Sequence, residues 1–126
     1  MNASFPTFEE FEDLVAEALA GLPDEIKEMM QNVAVTVELT ATPEQRRAAR
    51  LRPGQELYGL YQGIPLTQRT SHYGMVPPDR ITIFMYPLVY HYRTPEAIRR
   101  QVRRTVLHEI GHHFGMDEEH LRNLGY

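Results

Sequence analysis

The chain has 126 residues, 42% of them apolar and 24% charged, which is the balance of one folded globular domain and excludes a disordered or fibrous chain. It contains no cysteine, so disulfides and thiolate metal ligands are excluded, and its net charge of −4 disfavours nucleic acid as a partner. Without a leader-like N-terminus or a run of 18 apolar residues, we expect a single domain over residues 1–126 in the cytoplasm, with no membrane association.

Two helices are predicted in the first third of the chain. Thr7 followed by Glu10 has the spacing of a capping box, and apolar residues then recur at helical intervals until Gly21. This pattern predicts a helix over residues 7–20. A short second helix is expected over residues 24–30.

Three strands are predicted after these helices. Residues 33–39 alternate between valine or leucine and other residues, which is typical of a half-buried strand. Residues 57–61 are bordered by glycine and proline, which favours an edge strand, and residues 80–87 are β-branched and aromatic enough for a buried strand. Between them we expect a helical turn and a surface loop after residue 41, and a loop near the functional face over residues 67–79.

A final helix begins at Thr94-Pro95-Glu96, which supplies an N-cap, a proline at the first helical position and an acid in the first turn. We expect it to run to about Phe114 and to be apolar nearly all round in its second half, with Phe114 among the core residues. The order of helix, strands and helix predicts an α+β domain.

The last stretch of the chain, HEIGHHFGMDEEHLRNLGY over residues 108–126, holds four of the six histidines. His108 and His112 lie four residues apart, so on a helix their imidazoles lie one turn apart and can converge on one cation. Glu109 lies beside them and can reach a water molecule in an open coordination position. That is the place of a general base.

A third metal ligand is expected after the helix ends. Gly115 can take the left-handed conformation that ends a helix and turns the chain back. Glu118 can then return to the metal, which gives two histidines and a carboxylate, a ligand set of catalytic zinc sites. Glu118 is the favoured ligand, with Asp117 and His120 as the competing candidates.

With these residues the chain resembles the zincin metallopeptidases that carry HExxHxxGxx followed by histidine or aspartate, and most of all the small single-domain mini-zincins. The likeness extends to LYGLYQGIPLTQR, PDRITIFMYPL and the closing LGY. It implies a minimal zincin-like domain, in which a small mixed sheet packs against an N-terminal helix and a C-terminal active-site helix. It also implies a zinc ion bound by His108, His112 and Glu118.

The resemblance further implies hydrolysis of peptide bonds in a peptide or protein substrate, with Glu109 as base and an extended substrate along the edge strand of residues 57–66. Tyr126 is expected to support the active site from below. One departure is that family members usually have aspartate where this chain has Glu118.

Several alternatives stay open. His113, His72 and His91 are interpreted as structural or surface residues, while Tyr126 and Tyr73 are both candidates for oxyanion stabilisation. The arginines between residues 93 and 104 are interpreted as solvated or paired with the acidic first helices. The rival functions are an inert metal-binding or interaction domain and, below it, a metal-dependent nucleic-acid hydrolase. A homodimer is one option for a chain of this length, although no pattern supports it.

Overall fold

The computed structural model describes residues 5–51, 54, 56–63 and 79–124, and for Glu118 it describes the main chain alone. Within these ranges the chain forms six helices and three strands. In chain order they are helix α1 (Phe8–Ala20), helix α2 (Asp24–Met29), strand β1 (Val33–Glu38), helix α3 (Pro43–Ala48), strand β2 (Gly59–Gln62), strand β3 (Asp79–Phe84), helix α4 (Met85–His91), helix α5 (Pro95–His113) and helix α6 (Glu118–Asn123).

The three strands form one mixed sheet in the order β1-β3-β2. Strand β1 runs parallel to β3, with Val35 opposite Ile81, and β2 runs antiparallel to β3, with Tyr61 opposite the same residue. The α+β class and the small mixed sheet are therefore confirmed. Among the described residues β2 pairs with β3 alone, so its predicted place at an edge is also confirmed.

The predicted strand over residues 80–87 is wrong at its end. Strand β3 stops at Phe84, and Met85 begins helix α4, which the sequence did not predict. Pro87 is the third residue of α4, where a main-chain N–H would have no acceptor within the helix, so a proline is tolerated there. The apolar run from Ile81 to Leu88 thus belongs to two elements.

The predicted helix starts are confirmed. The Thr7 hydroxyl accepts from the Glu10 N–H at 3.1 Å, and the Glu10 carboxylate accepts from the Thr7 N–H at 2.7 Å. Thr94 caps α5 by accepting from the Ala97 N–H at 3.1 Å. These bonds satisfy donors that have no partner inside the helix.

Helix α5 packs between α1 on one side and strands β2 and β3 on the other. Val102, Val106 and Ile110 are fully buried on it, as expected for a helix that enters the core. The expectation that Phe114 joins the core is wrong, because Phe114 caps the end of α5 and is 46% exposed.

A smaller apolar cluster lies apart from the main core and consists of Leu57, Leu60 and Phe84. Within the described residues, none of the helices is long and apolar enough to cross a membrane.

Candidate metal centre

Helix α5 and strand β2 run side by side in matching register, and this register places the predicted site. Four residues of helix rise about 6 Å, nearly the length of two strand residues, so every fourth residue of α5 meets every second residue of the strand. The contacts pair Gly59 with Thr105, Tyr61 with Glu109, and Gly63 with His113.

Gly59 makes this close approach possible. A Cβ atom on Gly59 would lie 2.7 Å from Thr105 Cγ2, closer than real Cβ atoms come to their neighbours, and 3.3 Å from the Thr82 carbonyl oxygen, which is a tight contact. The absence of a side chain therefore lets β2 lie directly against the helix.

His108 and His112 lie on adjacent turns of α5, as their spacing predicts. Their ring centroids are 4.2 Å apart and the ring planes are tilted by 45°. His108 is half-buried and His112 is exposed. Rings this close can direct one nitrogen each toward a common cation, so this pair fits two ligands of a zinc ion.

Both histidines and Glu109 line one cleft, which has a volume of about 440 Å³. The cleft runs along α5 and is closed on the other side by the start of β2 and the segment before it. Its remaining lining residues are Ala49, Leu51, Glu56, Leu57, Tyr58, Gly59, Leu60, Gln101, Arg104 and Thr105.

Glu109 is held by the strand. The main-chain N–H of Tyr61 donates to Glu109 Oε1 at 2.9 Å, and the carboxylate is half-buried. A carboxylate fixed through one oxygen keeps the other for a second partner.

The chain turns back directly after these residues. Gly115 has φ of 72°, in the left-handed region, as its position predicts. The Met116 N–H donates to the Gly111 carbonyl at 2.8 Å and the Gly115 N–H donates to the His112 carbonyl at 3.4 Å. These two bonds form a Schellman motif, which ends α5 and reverses the chain.

Helix α6 then docks on α5 through Leu121, which is buried. A Cβ atom on Gly111 would lie 2.7 Å from Leu121 Cδ1. Glycine at this position in the H-E-x-x-H motif thus allows the two helices to approach closely. The contact between Gly111 and Leu121 also fixes the position of the first turn of α6, which begins at Glu118.

The two competing third ligands have other partners. Asp117 is the N-cap of α6 and accepts from the His120 N–H at 2.8 Å, while His120 Nε2 lies 3.0 Å from Glu25 Oε2 on α2. Among the side chains that the structure describes, no group of three or more histidines or carboxylates is arranged around a metal position. The Glu118 side chain is outside that set, so its role stays a prediction.

The remaining histidines of the described chain contact aromatic side chains. His91 Nδ1 lies 2.8 Å from the Tyr58 hydroxyl, and His113 stacks on Tyr61 with ring centroids 3.9 Å apart. Burial, with Tyr92 nearby, raises the pKa of Tyr58 to about 12, so this cleft residue is a neutral phenol at pH 7. His72, Tyr73 and Tyr126 lie outside the described residues.

Sequence reasoning missed Tyr61 and Asp79. Tyr61 contacts both Glu109 and His113, and its hydroxyl donates to Asp79 Oδ2 at 2.6 Å. The four-residue spacing of Glu109 and His113 was a usable signal, since it places both side chains on one side of the helix.

The chain is similar to known proteins in sequence and in fold. A family profile described as zincin-like metallopeptidase matches residues 30–126. Among solved structures, a conserved hypothetical protein from Thermus thermophilus is similar with a TM-score of 0.54 and 21% identity, covering 86% of this chain and 94% of that one. That likeness shows a shared fold. None of the proteins with curated descriptions matches significantly. Because the family profile covers well over half of the chain, the protein belongs to the zincin-like metallopeptidases.

Proposed function

We propose that this protein is a zinc-dependent peptidase that hydrolyses peptide bonds in the cleft beside β2. The observation that carries the proposal is that His108, Glu109 and His112 open into one cleft whose opposite wall is an edge strand. A bound zinc ion supplies a Lewis acid that brings the pKa of a coordinated water molecule toward neutrality.

In this proposal His108 and His112 hold the ion and Glu118 completes the ligand set. The capping role of Asp117 and the contact of His120 with Glu25 engage the two competing candidates elsewhere, which supports Glu118 as the ligand. Glutamate is one methylene longer than the aspartate usual in the family, so the distance of α6 from the histidines matters for the ligand set. The close contact of Leu121 with Gly111 contributes to that distance.

Glu109 accepts the proton of the attacking water. Its Oε1 is bound to the Tyr61 N–H, which leaves Oε2 for the proton.

The substrate is an extended peptide that adds to the outer edge of β2. The Phe84 N–H donates to the Tyr58 carbonyl at 2.9 Å, so Tyr58 and every second residue after it face β3. Gly59 and Tyr61 therefore direct their main-chain groups outward. The Tyr61 N–H already binds Glu109, so Gly59, which lines the cleft, is the residue that pairs with the substrate backbone.

The test is turnover of a mixed peptide library by the zinc-loaded protein, read by mass spectrometry, with Glu109→Gln as the variant. We expect Glu109→Gln to lose nearly all turnover and to keep zinc, because glutamine cannot accept the proton but fills the same space. Glu96→Gln, in the exposed first turn of the same helix, is the matched control and should behave as wild type.

Full turnover by Glu109→Gln would refute the role of the base. A wild-type protein that holds zinc and cleaves nothing in the library would refute the peptidase proposal and favour the inert metal-binding domain.

A further inference from the structure

Tyr61 joins three elements of the fold through its side chain. The ring stacks on His113 of α5 with centroids 3.9 Å apart and planes inclined by 19°. The hydroxyl donates to Asp79 Oδ2 at 2.6 Å, and Asp79 is the first residue of β3. The edge strand is thus attached at one residue to the helix and to the central strand.

Asp79 is a firm anchor for this tyrosine. It is 9% exposed, and His113 Nε2 lies 3.7 Å from the same oxygen that accepts from Tyr61. A buried carboxylate with a short bond to a phenol holds the ring in one orientation.

The neighbours of Tyr61 add little to this attachment. Gly59 and Gly63 are the next residues that face α5, and neither has a side chain that can pack on the helix. The ring of Tyr61 is therefore the principal side-chain contact of this part of β2 with α5.

The same residue binds the proposed base through its main chain. Glu109 and His113 are four residues apart on α5, so they lie on one side of the helix. Glu109 accepts from the Tyr61 N–H, and His113 stacks on the Tyr61 ring. The ring and the N–H donor belong to the same residue, so a displacement of the ring along His113 can also displace the donor relative to the carboxylate.

We propose that Tyr61 is a positioning residue for Glu109: its ring, held by His113 and Asp79, places the main-chain N–H that fixes one oxygen of the base. This inference rests on the proposed peptidase function. It identifies a residue that touches neither the metal position nor the reacting atoms and acts through Glu109.

A small displacement of this donor is enough to matter. A shift of about 1 Å in a reacting group can lower the rate about 100-fold, and loss of a residue that orients a site residue commonly costs roughly 10- to 100-fold. We expect Tyr61→Leu to lower kcat by roughly 10- to 100-fold. The KM and the zinc content should change little, because Tyr61 is not among the described residues that line the cleft and the histidine pair keeps its side chains.

Tyr61→Phe is the conservative variant. It keeps the stacked ring and loses only the bond to Asp79, so its kcat should lie between those of Tyr61→Leu and wild type. Tyr90→Leu is the matched control. It removes a tyrosine ring on another part of the surface, where the centroids of Tyr90 and Phe5 are 5.3 Å apart. It should keep the wild-type kcat.

A second measurement does not require turnover. In an NMR hydrogen-exchange experiment, the residue-61 amide should exchange faster in Glu109→Ala and in Tyr61→Leu than in wild type, and the Tyr90→Leu protein should match wild type. Equal exchange of the residue-61 amide in Glu109→Ala and wild type would refute the hydrogen bond from the Tyr61 N–H to Glu109. A wild-type kcat in Tyr61→Leu would overturn the positioning role of Tyr61. If wild type cleaves no peptide, the peptidase proposal fails, and the exchange comparison alone decides whether Tyr61 positions Glu109.

Discussion

Two glycines of the described chain adopt left-handed backbone conformations, and one of them lies in the turn that directly follows the candidate metal-binding histidines. Gly115 has φ of 72° and Gly54 has φ of 79°, and a Cβ atom on either would meet no atom within 4 Å. Substitution at both positions therefore strains the backbone without any steric clash. Comparison of the two substitutions therefore separates the contribution of the Gly115 turn to zinc binding from its contribution to stability.

We predict that Gly115→Ala and Gly54→Ala each lower the free energy of unfolding by about 1–2 kcal/mol, the cost of a left-handed residue with a Cβ atom. Only Gly115→Ala should also weaken zinc binding, because in the proposed site its turn returns Glu118 to the metal held by His108 and His112. Urea unfolding and zinc titration of the two variants measure these effects. Equal zinc affinity in both would show that the turn does not place a ligand.

At the level of elements, helices α5 and α6 approach each other closely where Gly111 of α5 contacts Leu121 of α6. Alanine at Gly111 would place its Cβ atom 2.7 Å from Leu121 Cδ1 and 2.8 Å from Cδ2. Helix propensity favours alanine over glycine by about 1 kcal/mol, whereas overpacking costs about 1–3 kcal/mol. The balance in stability is small, and either the Leu121 side chain or α6 must shift to make room.

We predict that Gly111→Ala weakens zinc binding more than it lowers stability, because displacement of α6 moves Glu118. The double variant Gly111→Ala with Leu121→Ala restores the space and should recover part of the zinc affinity relative to Gly111→Ala. Isothermal titration calorimetry with zinc tests this cycle. Additive losses of affinity in the double variant would contradict the account.

Several elements that the sequence predicted begin with a strong cap or show a clear period, although helix α6, which Asp117 caps, was not predicted. Helices α1 and α5 start at Thr7 and Thr94, and β1 shows alternating valines. Helix α4 was missed because Phe84, its N-cap, makes no side-chain cap bond and its residues are as apolar as the strand before it.

The site was predictable only where it depends on local spacing. The positions of His108, Glu109 and His112 follow from helical geometry. The partner of His120 does not, because Glu25 lies 95 residues away in the chain. The contact of Tyr61 with Glu109 likewise depends on the packing of β2 against α5.

At the scale of the whole molecule, the apolar core forms from packed side chains and does not depend on a metal ion. Fully buried residues from α1, β3 and α5 pack together in it, among them Phe11, Ile81 and Val102. Part of the arginine-rich surface is paired as predicted, since Arg99 forms an ion pair with Glu17 of α1 at 3.0 Å. This ion pair reduces the positive charge with which the arginine-rich surface could bind a nucleic acid.

We therefore predict that the protein stays folded when zinc is removed with EDTA and unfolds in one cooperative transition. Zinc at about 100 times its Kd should stabilise the folded chain by about 2.7 kcal/mol, because it binds the native state in preference to the unfolded one. Differential scanning calorimetry should show Tm rising by several degrees on zinc addition. An unfolded metal-free chain would contradict an independent core.

The most direct test of the central claim is the zinc content of the untagged protein by elemental analysis, with Glu118→Ala compared with Glu119→Ala, Asp117→Ala and His120→Ala. The proposed three-ligand site predicts about one zinc ion per chain in wild type, Glu119→Ala and His120→Ala, and loss or marked weakening of zinc binding in Glu118→Ala. Asp117→Ala should keep zinc and lose about 1 kcal/mol of stability as a lost helix cap. A wild-type protein without zinc after reconstitution, or a Glu118→Ala protein that binds zinc as tightly as wild type, would contradict it.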